Sequence, residues 1–437
     1  MPVTEPKRPA APMANGASDA ASGAETSGLP ASYRALLGVP SLARALLGMQ
    51  TARIAQSMVG LALVLFTLER YGSPALAGLV TFAGIAPGLV VSPIAGALLD
   101  RHGRTRFITL DFIVAALSMA LIGVLAMVDL LPAWLLVVIA ALSALTGPLS
   151  STGLRSLFPL MAPRHLWERL NAIDSNGYVV ATIIGPPVAA VLVSLTGGPW
   201  ALVILGLVYA ASAAIIVAVP DPATSTTSSG NLLRDAWQGV LYTWRNPTLR
   251  GLGFSITTLN VSGGIISIVV PLIVLNRLGL GEAAVGIVFA VQGVFGLVAG
   301  LFAGRLDTRG REQPLILWPM LGFALATALL LPSAGILPVV ASMAISGLVN
   351  GPMDVAMFTV RQRRTDPAWM GRAFAVSMSF NFAGFPIGSA IGGVLAGQSI
   401  ELAVAVAVVA CLVGCVLAAW LIPRRAPDAP VPGAART

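Results

Sequence analysis

Long continuous apolar runs dominate the sequence, and short polar stretches separate them. Each run is close to the ~20 residues that an α-helix needs to cross a bilayer. The runs do not alternate between apolar and polar positions, so they predict helices rather than the strands of an outer-membrane barrel. Twelve runs lie at residues 42–68, 74–98, 107–128, 132–154, 172–195, 199–219, 251–275, 283–303, 314–332, 335–358, 373–397 and 401–422. The pattern predicts an all-α membrane protein with twelve transmembrane helices.

Composition supports this prediction. Of the 437 residues, 56% are apolar and only 10% are charged, against about 25% charged residues in soluble proteins. The net charge of +8 comes from arginines scattered singly between the runs, so it indicates membrane topology and not a nucleic-acid partner. The two cysteines, Cys411 and Cys415, share the last run, and the two histidines, His102 and His165, lie far apart. We therefore predict no metal site and no cofactor, and the absence of a Gly-Lys-Ser/Thr loop argues against ATP-driven transport.

Polar segments divide the chain into five parts. Two tails rich in Ala and Pro enclose the runs, and we expect the first to be disordered. A polar linker separates two groups of six runs, and its second part, residues 231–245, has the helical spacing of an interfacial amphipathic helix. The predicted parts are a cytoplasmic tail at 1–38, a six-helix bundle at 39–219, the linker at 220–250, a second bundle at 251–423 and a tail at 424–437.

The basic residues predict the orientation of the chain. If the N-terminus is cytoplasmic, all of them except Arg53, Arg70 and Arg277 fall in cytoplasmic loops and tails. Because positive residues accumulate on the cytoplasmic side of a membrane protein, we predict a multi-pass inner-membrane protein with both termini in the cytoplasm.

The two halves of the chain resemble each other at a displacement of 207 positions. This register aligns Arg53 with Asn260, Arg70 with Arg277, Asp100 with Asp307, Gly103 with Gly310 and Arg104 with Arg311. The agreement indicates an internal duplication. Two similar six-helix bundles around a central pathway are typical of secondary transporters.

The motif at residues 96–106, Gly-Ala-Leu-Leu-Asp-Arg-His-Gly-Arg-Thr-Arg, lies between the second and third predicted spans. It resembles the signature loop of the major facilitator superfamily, whose acidic residue is thought to engage the N-terminal end of the eleventh span and to lock an outward-facing state, as helix-dipole interactions would allow. The second copy is degenerate, with Ala303 at its first glycine position. For both copies the alternative is a positive anchor with a glycine turn. The gating residues that the resemblance implies are Gly96, Asp100, Arg101, Gly103 and Arg104, with Asp307, Arg309, Gly310 and Arg311 in the second copy.

Further stretches narrow the resemblance. Gly185 and Pro186 begin a segment similar to the exporter motif of this superfamily, with alanines at its last two positions, and Pro386 and Gly388 are its counterpart in the eleventh span. We predict hinges there, or else ordinary Gly and Pro usage in membrane helices. Residues 162–172 and 232–249 look like the corresponding segments of the branch that contains enterobactin exporters and macrolide efflux proteins.

Ionisable residues within spans are costly, so each is a functional hypothesis. Arg53, with Gln56 close by, gives the first span a polar face that could line a cavity; a structural ion pair or a snorkelling side chain is the alternative. Asp111, Asp174 and Asp354 could carry a proton, although we favour pairing of Asp111 and Asp174 with nearby loop arginines. Neutral polar residues that could bind substrate or bond between helices include Asn260, Gln292 and Asn381.

The sequence thus predicts a secondary transporter, not an enzyme. We predict a monomer in the lipid bilayer that exports a hydrophobic or amphipathic small molecule, such as a drug, macrolide or siderophore, with protons as the coupling ion. An importer, or a lipid or siderophore translocator, of the same fold is one alternative. A receptor or scaffold without transport activity is the other, and the motif loops count against it.

Overall fold

A computed structural model describes residues 32–221, 232–303, 311–331, 335–366 and 369–423. These residues are almost entirely helical, which confirms the all-α prediction. The helices are α1 (Tyr33–Leu37), α2 (Leu42–Tyr71), α3 (Pro74–Ala83), α4 (Ala86–His102), α5 (Arg104–Met127), α6 (Ala133–Met161), α7 (Trp167–Thr196), α8 (Gly198–Val217), α9 (Leu232–Arg245), α10 (Pro247–Leu272), α11 (Glu282–Ala303), α12 (Glu312–Ala328), α13 (Ile336–Arg363), α14 (Met370–Phe382), α15 (Gly384–Ala396) and α16 (Ile400–Leu421).

Eleven segments of the described chain are long and apolar enough to cross a membrane, and α12 contains a shorter apolar helix, Gln313–Ala328, at the position of the ninth predicted run. The twelve apolar runs therefore correspond to twelve membrane-crossing segments. The predicted tails are largely outside the description, as residues 1–31 and 424–437 are not covered, but α1 lies within the last part of the first tail. The division into five parts stays a prediction.

Two spans are broken into consecutive helices, and a proline explains each break. The second span consists of α3 and α4, and α3 ends at Ala83, four residues before Pro87. The eleventh consists of α14 and α15, and α14 ends at Phe382, four residues before Pro386. Proline has no N–H to bond to the carbonyl four residues earlier, so the helical ladder is interrupted at that position. By contrast, α7 continues through Pro186.

Helices extend beyond the apolar runs at the signature motif. The runs predict a loop between residues 98 and 107, but α4 continues to His102 and α5 begins at Arg104. Gly103 alone connects them, with φ of +95°. That conformation favours glycine, since it lacks a Cβ. The length of an apolar run reflects the thickness of the membrane and does not mark the end of a helix. The observed loop is therefore shorter than the predicted one.

The helices pack as two groups. In the first half α2 packs against α7 and α8, and α5 against α6 and α8; in the second half α10 packs against α15 and α16, and α11 against α13. The halves meet where α3 contacts α15 and where α7 contacts α11. We call the end that contains Gly103, Asp221 and Pro423 the linker face. The other end, with the glycine turns at Gly72 and Gly279, is the opposite face.

Candidate functional site

An ion pair inside the first half joins two of the predicted cavity residues. Arg53 on α2 donates from Nη2 to Asp174 Oδ1 on α7 at 2.6 Å, and from Nη1 to the Asp174 carbonyl oxygen at 2.8 Å. The two side chains are only 12% and 17% exposed. The expected pairing of Asp174 with a loop arginine is therefore wrong, because its partner is the arginine of a neighbouring span. Arg53 has the ion-pair partner that its alternative interpretation required.

The second half repeats this contact without the charges. At the 207-residue displacement, Arg53 corresponds to Asn260 and Asp174 to Asn381. Asn260 Nδ2 donates to the Asn381 carbonyl oxygen at 2.8 Å, the same distance as the equivalent bond from Arg53. Both halves thus have the same side-chain to backbone hydrogen bond between equivalent helices. In the first half a salt bridge accompanies this bond. This contact supports the internal duplication independently of the motif loops.

Asp111 on α5 lies in a polar pocket within the first half. The residue is 5% exposed, and the hydroxyl groups of Thr146 and Ser150 of α6 lie close to its carboxyl group. The sequence favours pairing of Asp111 with a loop arginine, but the described contacts of Asp111 include no such arginine. The two hydroxyl groups supply the partners that a buried carboxyl group requires.

Asp354 lies on α13 with Asn350 one turn earlier. Asn350 Nδ2 donates to Asp354 Oδ2 at 2.9 Å, and the Asp354 side chain is partly exposed. Arg361 follows two turns later on the same side of the helix. The three polar residues therefore form a stripe along one face of α13.

Arg361 was assigned to a cytoplasmic loop by the sequence pattern, but the structure places it in α13 with no exposed surface. Its Nη1 lies 2.7 Å from Met378 Sδ, and its guanidinium group lies 5.7 Å from the centre of the Phe358 ring. With the Asn381 amide oriented to satisfy both polar atoms, Asn381 Oδ1 accepts from Arg361 Nη2 at 2.6 Å and Nδ2 donates to the Ser377 carbonyl at 3.1 Å. A polar network thus links α10, α13 and α14.

The remaining cavity candidates are spread over other helices. Gln56 is exposed on α2, one turn from Arg53, and Gln292 is partly exposed on α11. Gln292 also contributes its carbonyl oxygen to a close approach at Gly347 of α13. The structure therefore places Arg53 in contact with Asp174 and Asn260 in contact with Asn381. It does not gather all the candidates in one cluster.

Glycines line the contact between the halves near the opposite face. A Cβ atom on Gly78 of α3 would lie 3.0 Å from Gly393 Cα of α15 and closer still to the Ser389 carbonyl oxygen. A Cβ on Gly286 of α11 would lie 2.7 Å from Ala190 Cβ of α7. A Cβ at either glycine would therefore clash, so α3 approaches α15 and α11 approaches α7 this closely because Gly78 and Gly286 have no side chain.

The same helices separate towards the linker face. On α7, Val179 lies one turn before the contact residue Ile183 and is exposed. On α11, Leu297 lies one turn after the contact residue Gly293 and is exposed. The two halves are therefore in contact near the opposite face and apart near the linker face along this pair of helices.

At the signature motif, the structure adds a residue that sequence reasoning missed. Asp221, just after α8, accepts a hydrogen bond from the Arg104 backbone N–H at 3.0 Å. It thereby caps the N-terminus of α5, where a carboxylate is favoured. Arg104 Nε also donates to Ser156 Oγ of α6 at 3.0 Å. A Cβ on Gly103 would collide with the Asp221 carboxylate. No local pattern marks Asp221, since the contact spans 117 residues.

The other motif residues are placed as follows. Gly96, Asp100 and Arg101 lie in α4. Arg311 is exposed and precedes α12. Asp307, Arg309 and Gly310 lie outside the described residues.

The predicted hinge residues are tightly packed. A Cβ on Gly185 of α7 would lie 2.5 Å from Ser57 Oγ of α2, and a Cβ on Gly388 of α15 would lie 2.7 Å from Val261 Cα of α10. These glycines permit close helix contact within each half. The helical break of the eleventh span lies at Ala383, ahead of Pro386.

Two bundles of membrane helices, related by a duplication and in contact across a central plane, define a secondary transporter of the membrane. The sequence profile of the Major Facilitator Superfamily matches residues 45–263 and 252–437. The chain belongs to this superfamily and is a multi-pass membrane protein. As a member it is a transporter, and transporters of this superfamily bind small-molecule substrates within the bilayer.

The chain is also similar to individual known proteins of this superfamily and to solved transporter structures. It is 36% identical over 365 residues to the uncharacterized MFS-type transporter y4rN of Sinorhizobium fredii, covering 82% of this chain and 89% of that protein. It is 24% identical over 341 residues to macrolide efflux protein A of Streptococcus pyogenes, covering 77% and 84%. The crystal structure of the nucleoside transporter NupG superposes with a TM-score of 0.66 at 12% identity, covering 87% and 98% of the two chains. The similarity to efflux proteins confirms the predicted drug-efflux branch, and the structural similarity confirms the fold.

Proposed function

We propose that the chain is a proton-coupled exporter of a hydrophobic or amphipathic small molecule that works by alternating access. Export is supported by the similarity to macrolide efflux protein A. The observation that carries proton coupling is Asp354, a carboxyl group within a membrane span whose described hydrogen bond comes from a neutral amide, Asn350. Binding of a proton would remove the cost of a charge inside the membrane.

The other two carboxyl groups suit a coupling role less well. Asp174 is held by Arg53 at 2.6 Å, so its negative charge is compensated. Asp111 is buried between α5 and α6 with two hydroxyl partners. We therefore assign proton uptake and release to Asp354, and a structural role in joining α2 and α7 to the Arg53–Asp174 pair.

The distribution of basic residues supports an orientation in which the linker face is cytoplasmic. The contact between the halves at the opposite face then closes the route to the outside, and the arrangement corresponds to an inward-facing state. Substrate would enter from the cytoplasmic side and bind between the halves. In the outward-facing state, we propose that the motif residues Asp100 and Asp307 stabilise closure of the linker face.

Flux in proteoliposomes tests the proposal. Proteoliposomes that contain the protein are loaded with lipophilic cations, macrolides and catecholate siderophores in turn. The flux of each compound is measured with and without an imposed pH gradient. We expect gradient-driven movement of at least one class, and loss of the gradient dependence in Asp354→Asn. Asp129→Asn is the matched control, because Asp129 is 88% exposed at the opposite face. Gradient dependence that survives in Asp354→Asn, or that is lost equally in Asp129→Asn, would exclude Asp354 as the proton carrier.

Flux that is independent of the pH gradient would exclude proton coupling and leave a facilitator. Movement towards the cytoplasmic side would reverse the direction and favour the importer alternative. If folded protein moves none of these compounds but binds a cytosolic partner, the receptor interpretation replaces transport.

A further inference from the structure

One face of α7 presents a continuous apolar stripe. Its residues recur every three or four positions, so they lie on one side of the helix. The stripe does not include Ile183, Pro187 and Ala190, the residues of α7 that contact α11, so we place it against the lipid. The residues are Val180, Ile184, Val188, Val191 and Leu195.

A polar residue occupies the next position of this stripe. Asn176 lies one turn before Val180 on the same face, and its side chain is exposed. An amide group that faces lipid without a hydrogen-bond partner costs free energy. Asn176 is therefore the one position of the stripe whose chemistry does not match a purely apolar surrounding.

Asn176 lines a cavity of about 380 Å³ between α2 and α7. This volume falls within the range of sites for small molecules. Leu46, Met49 and Ile173 form apolar walls, and Tyr33 of α1 closes the end towards the linker face. Asn176 and Val180 line the cavity and lie on the exposed face of α7, so we place its opening on the lipid-facing side of the first half.

The floor of the cavity is polar. Gln50 lines it and donates from Nε2 to the Gly177 carbonyl oxygen at 3.0 Å. A Cβ at Gly177 would lie 3.8 Å from Arg53 Nη1 and 3.3 Å from Gln50 Cδ, so the glycine keeps the backbone close to both side chains. Arg53 and Asp174 do not line the cavity and compensate each other's charge, so the floor offers hydrogen bonds but no net charge.

We propose that this cavity binds an amphiphile from the membrane, with its apolar body against the walls and an uncharged or zwitterionic head group hydrogen-bonded to Asn176 and Gln50. The head group supplies the partner that Asn176 needs on a lipid-facing surface. The shared chemistry fits either a resident membrane lipid or a free amphiphile that reaches the transporter through the bilayer. This site goes beyond the proposed function, since it does not depend on proton coupling or on the direction of transport.

Photolabelling of the full-length protein in lipid nanodiscs tests this site. The probes are a diazirine-bearing phosphatidylethanolamine and a diazirine-bearing monoacylglycerol, and adducts are located by peptide mass spectrometry. We expect adducts to concentrate at residues 46–50 and 173–180. Val180→Trp, which fills the cavity, should reduce them at least about fivefold, and Asn176→Leu, which removes the head-group partner, should also reduce them.

Val188→Trp is the matched control. Val188 is 42% exposed on the same stripe, against 43% for Val180, but it does not line the cavity. Labelling at the cavity should be unchanged in this variant. Equal labelling along the whole stripe, or equal effects of Val180→Trp and Val188→Trp, would overturn the proposal and leave an ordinary lipid-facing surface.

Two comparisons distinguish the sources of the ligand. Adducts from phosphatidylethanolamine that excess unlabelled monoacylglycerol does not displace identify a resident lipid. Displacement identifies an exchangeable amphiphile, and both results support the site. Because labelling reports binding and not flux, failure of the exporter proposal would leave the expected labelling pattern intact.

Discussion

Adding one methyl group at the contact between the halves should open it. Gly78→Ala places a Cβ 3.0 Å from Gly393 Cα and closer still to the Ser389 carbonyl oxygen, in a helix pair whose backbones touch. Neither partner is a flexible side chain, so α3 and α15 must separate. We therefore expect the variant to disfavour the state in which the opposite face is closed.

Overpacking of this kind typically costs about 1–3 kcal/mol. The cost applies to the closed contact and vanishes when the halves separate there. It should therefore shift the equilibrium between the two states by a factor of about 5 to 150. Even the lower limit is large enough to change the measured populations.

Electron paramagnetic resonance distances between spin labels measure this shift. Leu130 and Leu337 are exposed residues near the opposite face, one in each half, and the native Cys411 and Cys415 are first replaced by alanine. Gly78→Ala should increase the long-distance population. Gly60→Ala is the control, because a Cβ there meets nothing within 4 Å. An unchanged distribution in Gly78→Ala, or an equal change in Gly60→Ala, would refute the proposed contact.

Three further predictions concern the first half. Arg53→Ala or Asp174→Ala alone should lower stability by about 3–5 kcal/mol because each leaves a buried charge, and thermal unfolding of the double variant should show a loss smaller than the sum; additive losses would contradict the ion pair. Asp100→Asn should impair transport in the flux assay while surface biotinylation shows normal insertion, whereas normal flux would remove the gating role. Asp221→Ala should lower the unfolding midpoint through loss of a helix cap worth about 1 kcal/mol, while Asp221→Asn, which retains an acceptor, should retain most of the stability; equal effects would argue against capping.

Much of the architecture could be predicted from the chain itself. Apolar runs locate the twelve spans because the bilayer imposes their length, and the 207-residue displacement reveals the duplication. That register also aligns Asp174 with Asn381, so a contact found in one half identifies the equivalent positions in the other. The breaks before Pro87 and Pro386 follow from local backbone chemistry, but helices continue through Pro186, Pro271 and Pro352, so the sequence alone does not identify which prolines break a span.

The contacts between distant residues could not be predicted in the same way. Arg53 and Asp174 are separated by 121 positions, and only the packing of α2 against α7 identifies them as partners. Arg361 was misplaced because a basic residue near a span end usually lies in a loop, whereas here neighbouring helices cover it. Asp221 reaches Arg104 across most of the first half. Each depends on tertiary packing that no local pattern encodes.

The interrupted spans affect how the molecule can move. The glycine contact between the halves lies in α3 and α15, which are the pieces of the broken spans nearer the opposite face. The other pieces, α4 and α14, are connected to them only through Gly84 and Ile85 or through Ala383. Each of these spans therefore consists of two short helices joined at a break. Helix α4 or α14 can rotate while α3 or α15 stays packed at the contact between the halves. Closing of the linker face can then begin with rotation of α4 and α14 while the glycine contact at the opposite face is still closed.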